Sequence, residues 1–283
     1  MVRLRDPFMD CVRRLDDIAS SVDFEGNTAK IDATGLTHKE LNDLLRVCVE
    51  KGAEKIIIKN VCGQRYIGTR LHFPGKKVEI DVFGIPGNDL GMFMNGHRIV
   101  VHGNAQDGVG NTMNDGEIVV KGRAGDVVAM SMRGGRIFIR DDVGYRTAIH
   151  MKEYRERVPV LVVGGSSQDF LGEYMAGGSV LLLGLTLKNQ KHKANYVGTG
   201  MHGGTIYIRG KIEQYQLGKE VGVVEMEEED YRKVESLVKD YLRYFKDSIK
   251  NFELDEIMGE RFIKLVPVSK RPYGRIYTYY IRY

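Results

Sequence analysis

The chain has 283 residues, with 42 Lys and Arg against 38 Asp and Glu, and a formal net charge of +4 at pH 7. This near balance argues against nucleic-acid binding, since domains that bind nucleic acid usually carry a basic patch. The lack of an apolar run of about 18 residues argues against a membrane span. A charged N-terminus without an apolar signal segment and three scattered cysteines, Cys11, Cys48 and Cys62, predict a cytoplasmic protein with reduced thiols.

Residues 1–83 predict a small α/β cap. A first helix starts at Asp6-Pro7, a pair typical of helix starts. Its apolar face consists of Phe8, Cys11, Leu15 and Ile18. A second helix starts after Thr37, which forms a capping-box pattern with Glu40, and stops at Gly52. Short strands are predicted at residues 30–32, 56–59 and 78–82.

Residues 84–210 form a glycine-rich repeat that holds 24 of the 34 glycines. Each unit has an aliphatic residue, a Gly or Ala, two variable residues, a Met and a glycine-containing turn, followed by a short β-branched run. The repeated methionines are Met94, Met113, Met132, Met175 and Met201, and the first three are spaced by 19 residues. The turn glycines are Gly91, Gly96, Gly110, Gly116, Gly135, Gly172, Gly178, Gly198 and Gly204.

A short period without a helix-length apolar stripe predicts one strand per repeat. We therefore expect a mainly β fold in which each repeat is one coil of a parallel β-helix, with about six to seven coils in all. The methionines then form a ladder in the core, and the glycines allow the backbone to turn sharply. A propeller is the alternative, but its blades need about 40 residues each.

Residues 211–283 predict a C-terminal helix and a tail. Apolar residues recur at helical spacing between Val234 and Phe245, and the aromatic tail at residues 272–283 is either a strand or a docking segment. The middle residues of the repeat strands form an outward apolar stripe, which consists of Val100, Val119, Phe138, Leu181 and Tyr207. Either the helix or a partner subunit must cover this stripe; the helix is favoured because it is tethered to the repeat.

Two insertions interrupt the period, at residues 152–158 and 186–195. Insertions into a repeat map to surface loops. If the helix covers the stripe, a partner is expected to use these loops and an exposed turn at residues 169–173. The predicted partner interface consists of Tyr154, Arg155, Asp169, Phe170, Glu173, Lys188, Lys191 and Lys193.

Motifs for chemistry are sparse. Residues 198–203 match G-x-G-x-x-G, but dinucleotide binding requires a preceding strand and a following helix, so a repeat turn is the favoured interpretation. The histidines have no zinc-ligand spacing. The pair Asp141-Asp142 is explained equally well by turn formation. The sequence therefore predicts no catalytic, cofactor-binding or metal-binding residue in this chain.

Six strings carry a family resemblance: GNDLG at residues 87–91, GNAQDGVGNTM at 103–113, MRGG at 132–135, DVGYR at 142–146, IHMKEY at 149–154 and DFLGEYMAGG at 169–178. They resemble the C-terminal GXGXG domain of the glutamate synthase large subunit, most of all its free-standing form, and the resemblance covers roughly residues 30–215. It implies a right-handed, single-stranded β-helix. Related domains occur in a subunit of formylmethanofuran dehydrogenase and in N-methylglutamate synthase.

The resemblance implies a non-catalytic assembly subunit that links glutaminase and FMN-dependent synthase subunits in ammonia assimilation. The FMN and the iron–sulfur cluster are then expected in a partner subunit, because the family's N-terminal cysteine nucleophile and closely spaced cluster cysteines are not present in this sequence. Two alternatives stay open, namely an equivalent β-helix subunit of another complex and a self-contained nucleotide-using enzyme. Self-association of the chain also stays open.

Overall fold

The computed structural model describes residues 21–268 apart from positions 70, 72, 74, 190, 250 and 251. The helix predicted near Asp6 and the tail predicted at residues 272–283 lie outside the described residues. The strands are β1 Val22–Glu25, β2 Thr28–Asp32, β3 Lys55–Cys62, β4 Glu79–Ile85, β5 Asn95–Val101, β6 Asp115–Val120, β7 Arg136–Ile139, β8 Val160–Val163, β9 Ala176–Leu182, β10 Gly203–Arg209, β11 Val221–Val224 and β12 Phe262–Pro267.

These strands form one 12-stranded sheet, in which β2 to β10 are neighbours in chain order and pair in parallel. The register follows the sequence period, because Ile80, Ile99, Ile118 and Ile137 pair in turn from one coil to the next. Each coil thus contributes one strand to a β-solenoid of about eight turns, and the predicted β-helix is confirmed.

The solenoid extends further towards the N-terminus than the glycine-rich composition suggests. Strands β2 and β3 and most of β4 precede residue 84, yet these three strands pair in parallel in chain order and β4 pairs with β5. The number of turns is therefore larger than the six to seven expected from the glycine-rich repeat alone. The helix α1, His38–Glu50, connects β2 and β3, and the predicted capping box between Thr37 and Glu40 is present at its start.

The C-terminal end of the sheet is closed by two antiparallel strands. Strand β12 pairs with β10, and β11 pairs with β12, so the last parallel strand is not left with an open edge. The sequence patterns predict neither strand and indicate a helix and a tail in this region. A short apolar run such as Phe262–Pro267 has no periodicity that separates a strand from a buried helical segment.

The helix α2, Glu228–Phe245, covers the apolar stripe on the outside of the sheet. Phe138 at the centre of the stripe is 0% exposed, and Tyr241 from the helix packs in the same cluster. The hydroxyl of Tyr241 donates to the carbonyl oxygen of Arg140 at 2.7 Å. The prediction that the chain's own helix covers the stripe is confirmed.

The shorter helix α3, Leu254–Met258, follows α2 and contacts it. Buried Arg209 at the end of β10 donates from Nε to the carbonyl oxygen of Ile257 in α3, at 3.0 Å. Among the helices in the described part of the chain, none is both long enough and apolar enough to cross a membrane.

Candidate functional site

Each repeat coil contains a turn segment of six residues that ends at a buried Met, as in Gly108–Met113. The first, third and fifth residues of this segment adopt left-handed backbone: Gly108 has φ of 72°, Gly110 of 69° and Thr112 of 53°. The same alternation recurs at Asp89, Gly91 and Phe93 in the preceding coil. Because left-handed backbone is least strained for glycine, this alternation explains a G-x-G-x-G pattern.

Backbone hydrogen bonds hold the turn segments to one another. The N–H of Thr112 donates to the carbonyl oxygen of Met130 in the next coil at 2.7 Å, whereas the N–H of Gly110 donates to Leu90 in the preceding coil at 2.8 Å. Successive left-handed residues thus point their N–H groups alternately up and down the solenoid. This pairing leaves the exposed side chains of the turn segments available for contacts outside the chain.

The third residue of the turn segment, which we call its middle position, needs a small side chain for steric reasons. A Cβ atom on Gly91 would lie 2.5 Å from Cδ1 of Ile118, and one on Gly110 would lie 2.2 Å from Cδ1 of Ile137. Four of the predicted turn glycines occupy this position, namely Gly91, Gly110, Gly172 and Gly198. The other five lie where the chain enters a strand and have φ between 80° and 106°: Gly96, Gly116, Gly135, Gly178 and Gly204.

The repeated methionines end the turn segments and point into the solenoid. Met94 and Met201 are 1% exposed, and Met113, Met132 and Met175 are 0% exposed. All five belong to the inner core cluster together with the isoleucines of the sheet. The five methionines therefore pack in the core of the solenoid.

The turn segments also carry exposed aromatic side chains on left-handed backbone. Phe93 is 50% exposed with φ of 56°, and Tyr196 is 56% exposed with the same φ. Left-handed backbone is unfavourable for such bulky residues, and strain of this kind concentrates at functional sites. We name this surface the aromatic turn face; it consists of Tyr66, Phe93, His150, Phe170, Tyr174 and Tyr196.

Ring stacking joins four of these side chains in two pairs, each between neighbouring coils. The rings of His150 and Tyr174 lie 5.3 Å apart between centroids, and those of Phe170 and Tyr196 lie 4.9 Å apart. The guanidinium of Arg146 lies 5.2 Å from the ring centroid of Phe170. Of these residues only Phe170 belongs to the predicted partner interface. The sequence signal for the others is the presence of aromatic residues where the repeat favours glycine.

Two residues of the predicted partner interface have structural roles inside the repeat. Asp169 accepts a hydrogen bond from the backbone N–H of Asn195 in the next coil at 2.8 Å, as Asp107 does from Asp126 at 2.9 Å. Glu173 is 7% exposed and forms an ion pair with Arg146 at 3.1 Å. The expectation that Glu173 lies in an exposed turn is therefore wrong, because its carboxylate is turned back onto the preceding coil.

The structure places the two insertion loops on different edges of the sheet. In the first loop, Tyr154 and Arg157 exchange backbone hydrogen bonds of 3.1 Å, and exposed Arg155 lies over the ring of Tyr154. This loop precedes β8, whereas the loop at residues 186–195 follows β9. Because the starts and the ends of parallel strands lie on opposite edges of a sheet, the two loops do not form one surface.

The second loop forms a groove of about 700 Å³. The three predicted interface lysines, Lys188, Lys191 and Lys193, are exposed and line it. The remaining lining residues are Thr186, Leu187, Asn189, His192, Asn195, Tyr215 and Gln216. The structure thus brings together the lysines of the predicted interface and separates them from Tyr154 and Arg155.

The carboxylate pair Asp141-Asp142 is used for structure. Asp141 binds the guanidinium of Arg140 at 2.7 Å, and Asp142 accepts from the hydroxyl of Thr186 at 2.6 Å and the N–H of Ser166 at 2.8 Å. Burial alone would raise the pKa of Asp142, but these donors outweigh it and hold that pKa below its usual value. This arrangement fixes the start of the groove loop.

The described cysteines do not fit an iron–sulfur cluster, which needs closely spaced thiolates. Cys48 is buried on α1, where burial raises its thiol pKa to about 11, and Cys62 is exposed at the end of β3. Within residues 21–268 as described, no group of three or more His, Cys, Asp or Glu side chains could hold a metal ion.

The G-x-G-x-x-G match at residues 198–203 is part of the repeat. Gly198 and Gly200 are the third and fifth residues of a turn segment, and strand β10 follows them instead of a helix. The N–H of Gly200, which a phosphate would need, already donates to the carboxylate of Glu220 at 2.9 Å. The geometry therefore agrees with a repeat turn and lacks the context for dinucleotide binding.

A parallel β-solenoid whose turn segments repeat the G-x-G-x-G pattern defines the class of this protein. The model of the GXGXG motif family matches residues 38–268, and the chain belongs to this family of glutamate synthase-type domains. An uncharacterized protein of Methanocaldococcus jannaschii is 48% identical over 255 residues, which cover 88% of this chain and 95% of that relative.

Proposed function

We propose that this chain is a non-catalytic assembly subunit of a multi-subunit, glutamine-dependent glutamate synthase. In this role it links a glutaminase subunit to an FMN-dependent synthase subunit, which carries the FMN and the iron–sulfur cluster. Membership of the GXGXG family supports the connection to glutamate synthase. The observation that carries the assembly role is the aromatic turn face, because exposed aromatic residues kept on strained backbone are typical of binding surfaces.

Reconstitution tests this proposal directly. The chain is co-expressed with the glutaminase and the FMN-dependent synthase polypeptides, and glutamine-dependent formation of glutamate is measured with and without it. We expect a three-component complex whose activity depends on this chain, and no glutamate formation by the chain alone. Full activity of the other two polypeptides in its absence would contradict the assembly role.

Glycine substitutions on the aromatic turn face separate binding from folding. In Phe93→Gly and Tyr174→Gly, relief of left-handed strain offsets lost packing, so the free energy of unfolding should change by less than about 1 kcal/mol. Association with the other subunits should weaken about tenfold or more, as expected when aromatic anchors are removed. Both quantities are measured, by denaturant unfolding and by titration of the complex.

Tyr231→Ala is the matched control, because Tyr231 is 48% exposed but lies on α2, away from the turn segments. This variant should assemble as the unmodified chain does. Equal association of all three variants would show that the aromatic turn face is not the contact surface.

A further inference from the structure

The groove loop, at residues 186–195, interrupts the repeat, and its C-terminal part is hydrogen-bonded to the body of the solenoid. Gln216 is 2% exposed and donates both amide hydrogens, to the carbonyl oxygens of His192 at 3.0 Å and Ala194 at 2.8 Å. The ring of His192 is buried as well, and its Nε2 lies 2.9 Å from the carbonyl oxygen of Arg209. Buried hydrogen bonds therefore anchor residues 192–194 of the loop to the body of the solenoid.

The lining of the groove presents three lysines, while Asp142 and Asp169 at its border bind the lining residues Thr186 and Asn195. None of the described residues lining the groove carries a carboxylate. Lys191 pairs with Glu213 outside the lining at 3.4 Å, but both side chains are more than half exposed, so this pair contributes little. Three lysines around one groove repel one another, and an anionic occupant would relieve that repulsion.

An exposed tyrosine contributes to the same groove. Tyr215 lines it and is 76% exposed. Asn195, another lining residue, is followed in the chain by Tyr196 of the aromatic turn face. Tyrosine is enriched at the centres of protein interfaces, where its ring gives a large contact area at a low entropy cost.

The open form of the groove favours a polypeptide over a small anion. Sites for small ligands enclose most of the ligand and orient it with a few buried polar groups. Here the charged groups are exposed, and the buried polar groups, Gln216 and His192, bind the protein's own backbone. A chain segment that crosses the groove can pair several carboxylates with the lysines while it contacts Tyr215.

We propose that this groove docks an acidic segment of a partner polypeptide. The inference rests on the proposed function only in assigning that segment to a partner subunit of the synthase. Carboxylate side chains of the segment pair with Lys188, Lys191 and Lys193, and Tyr215 supplies the apolar contact. Electrostatic attraction of this kind mainly speeds association and selects the partner.

Peptide binding to the isolated full-length chain tests this proposal. The isolated chain can fail to bind the peptide while reconstitution of the synthase succeeds, and it can bind the peptide while reconstitution fails. The probe is a fluorescein-labelled hexaglutamate peptide, and binding is followed by fluorescence anisotropy. We expect saturable binding that weakens about tenfold between about 20 mM and 200 mM salt, because mobile ions screen exposed charges. A hexaglutamine peptide should not bind.

Two variants should weaken hexaglutamate binding. Loss of the three groove lysines in Lys188→Ala/Lys191→Ala/Lys193→Ala should reduce the affinity about tenfold or more. Tyr215→Ala, which leaves the net charge unchanged, should reduce it about threefold or more. The charge-matched control is Lys59→Ala/Lys77→Ala/Lys246→Ala, whose three lysines are exposed and lie outside the groove lining; it should bind as the unmodified chain does.

Three results would overturn the proposal. One is no hexaglutamate binding at low salt, and another is equal loss of binding in the groove and control variants, which would reveal a general charge effect. The third is complete displacement of the peptide by glutarate or inorganic phosphate at a concentration equal to that of the peptide. This result would show that the groove is a site for a small anion.

Discussion

Phe138→Glu should unfold the protein or detach its C-terminal helix. Phe138 is 0% exposed between the sheet and α2, and its ring lies 4.9 Å from that of Tyr244. The substitution removes this packing and places a carboxylate where water cannot reach it, so the free energy of unfolding should fall by about 4 kcal/mol or more. Arg136 does not prevent this loss, because its guanidinium already binds Asp240.

Denaturant unfolding and hydrogen exchange of residues 234–245 measure this effect. Phe93→Glu is the matched control, since it makes the same chemical change at a side chain that is 50% exposed; it should cost less than about 1 kcal/mol. The alternative view, in which a partner subunit covers the stripe, requires that Phe138→Glu leave the isolated chain stable. That outcome would contradict the packing of α2 seen here.

Repetition is the reason why the interior of the fold could be predicted from sequence. Once Met94, Met113 and Met132 recur every 19 residues, stacking of the coils requires equivalent residues to share one environment. The outward stripe was predictable for the same reason, because strand alternation assigns each middle residue to the outer face. The amphipathic pattern of α2 then supplied an apolar surface of matching length.

A further signal at the same period was present in the sequence but was not recognised. Glu79, Arg98, Glu117 and Arg136 alternate in sign at intervals of 19 residues, which places opposite charges on neighbouring coils. In the structure, Arg98 binds Glu79 and Glu117, each at 3.0 Å. This ladder runs beside the apolar stripe and reaches α2, where the hydroxyl of Tyr244 donates to Glu117 at 2.7 Å.

The candidate surfaces were less predictable because they depend on contacts between coils. The sequence shows Glu173 in a polar turn, but it does not show that Arg146 in the preceding coil draws its carboxylate inward. Likewise, the lysines of the groove were recognisable as a basic insertion. Their anchoring depends on Gln216, which lies more than 20 residues away in the chain.

Gly110→Ala should destabilise the solenoid although it adds a single methyl group. Two effects combine, because φ of 69° is unfavourable for alanine and because the new Cβ would lie 2.2 Å from Cδ1 of Ile137. The expected loss is about 2–4 kcal/mol, of which left-handed strain accounts for about 1 kcal/mol and overpacking for the rest. Gly96→Ala provides the control, since its φ of 94° is also positive but no atom lies within 4 Å of the added Cβ.

The double variant Gly110→Ala/Ile137→Val identifies the clash itself. Valine lacks the δ-methyl group of Ile137, and the next closest atom to the added Cβ is Cγ1, at 3.4 Å. Ile137→Val alone should cost about 1 kcal/mol through the cavity that it leaves, yet it should recover about 1–2 kcal/mol in the Gly110→Ala background. Purely additive losses would mean that the middle position of the turn segment selects glycine for its backbone conformation alone. A positive coupling energy would show that the isoleucines of the sheet require glycine in the GXGXG turns. The repeated glycines and the repeated isoleucines would then depend on each other for packing.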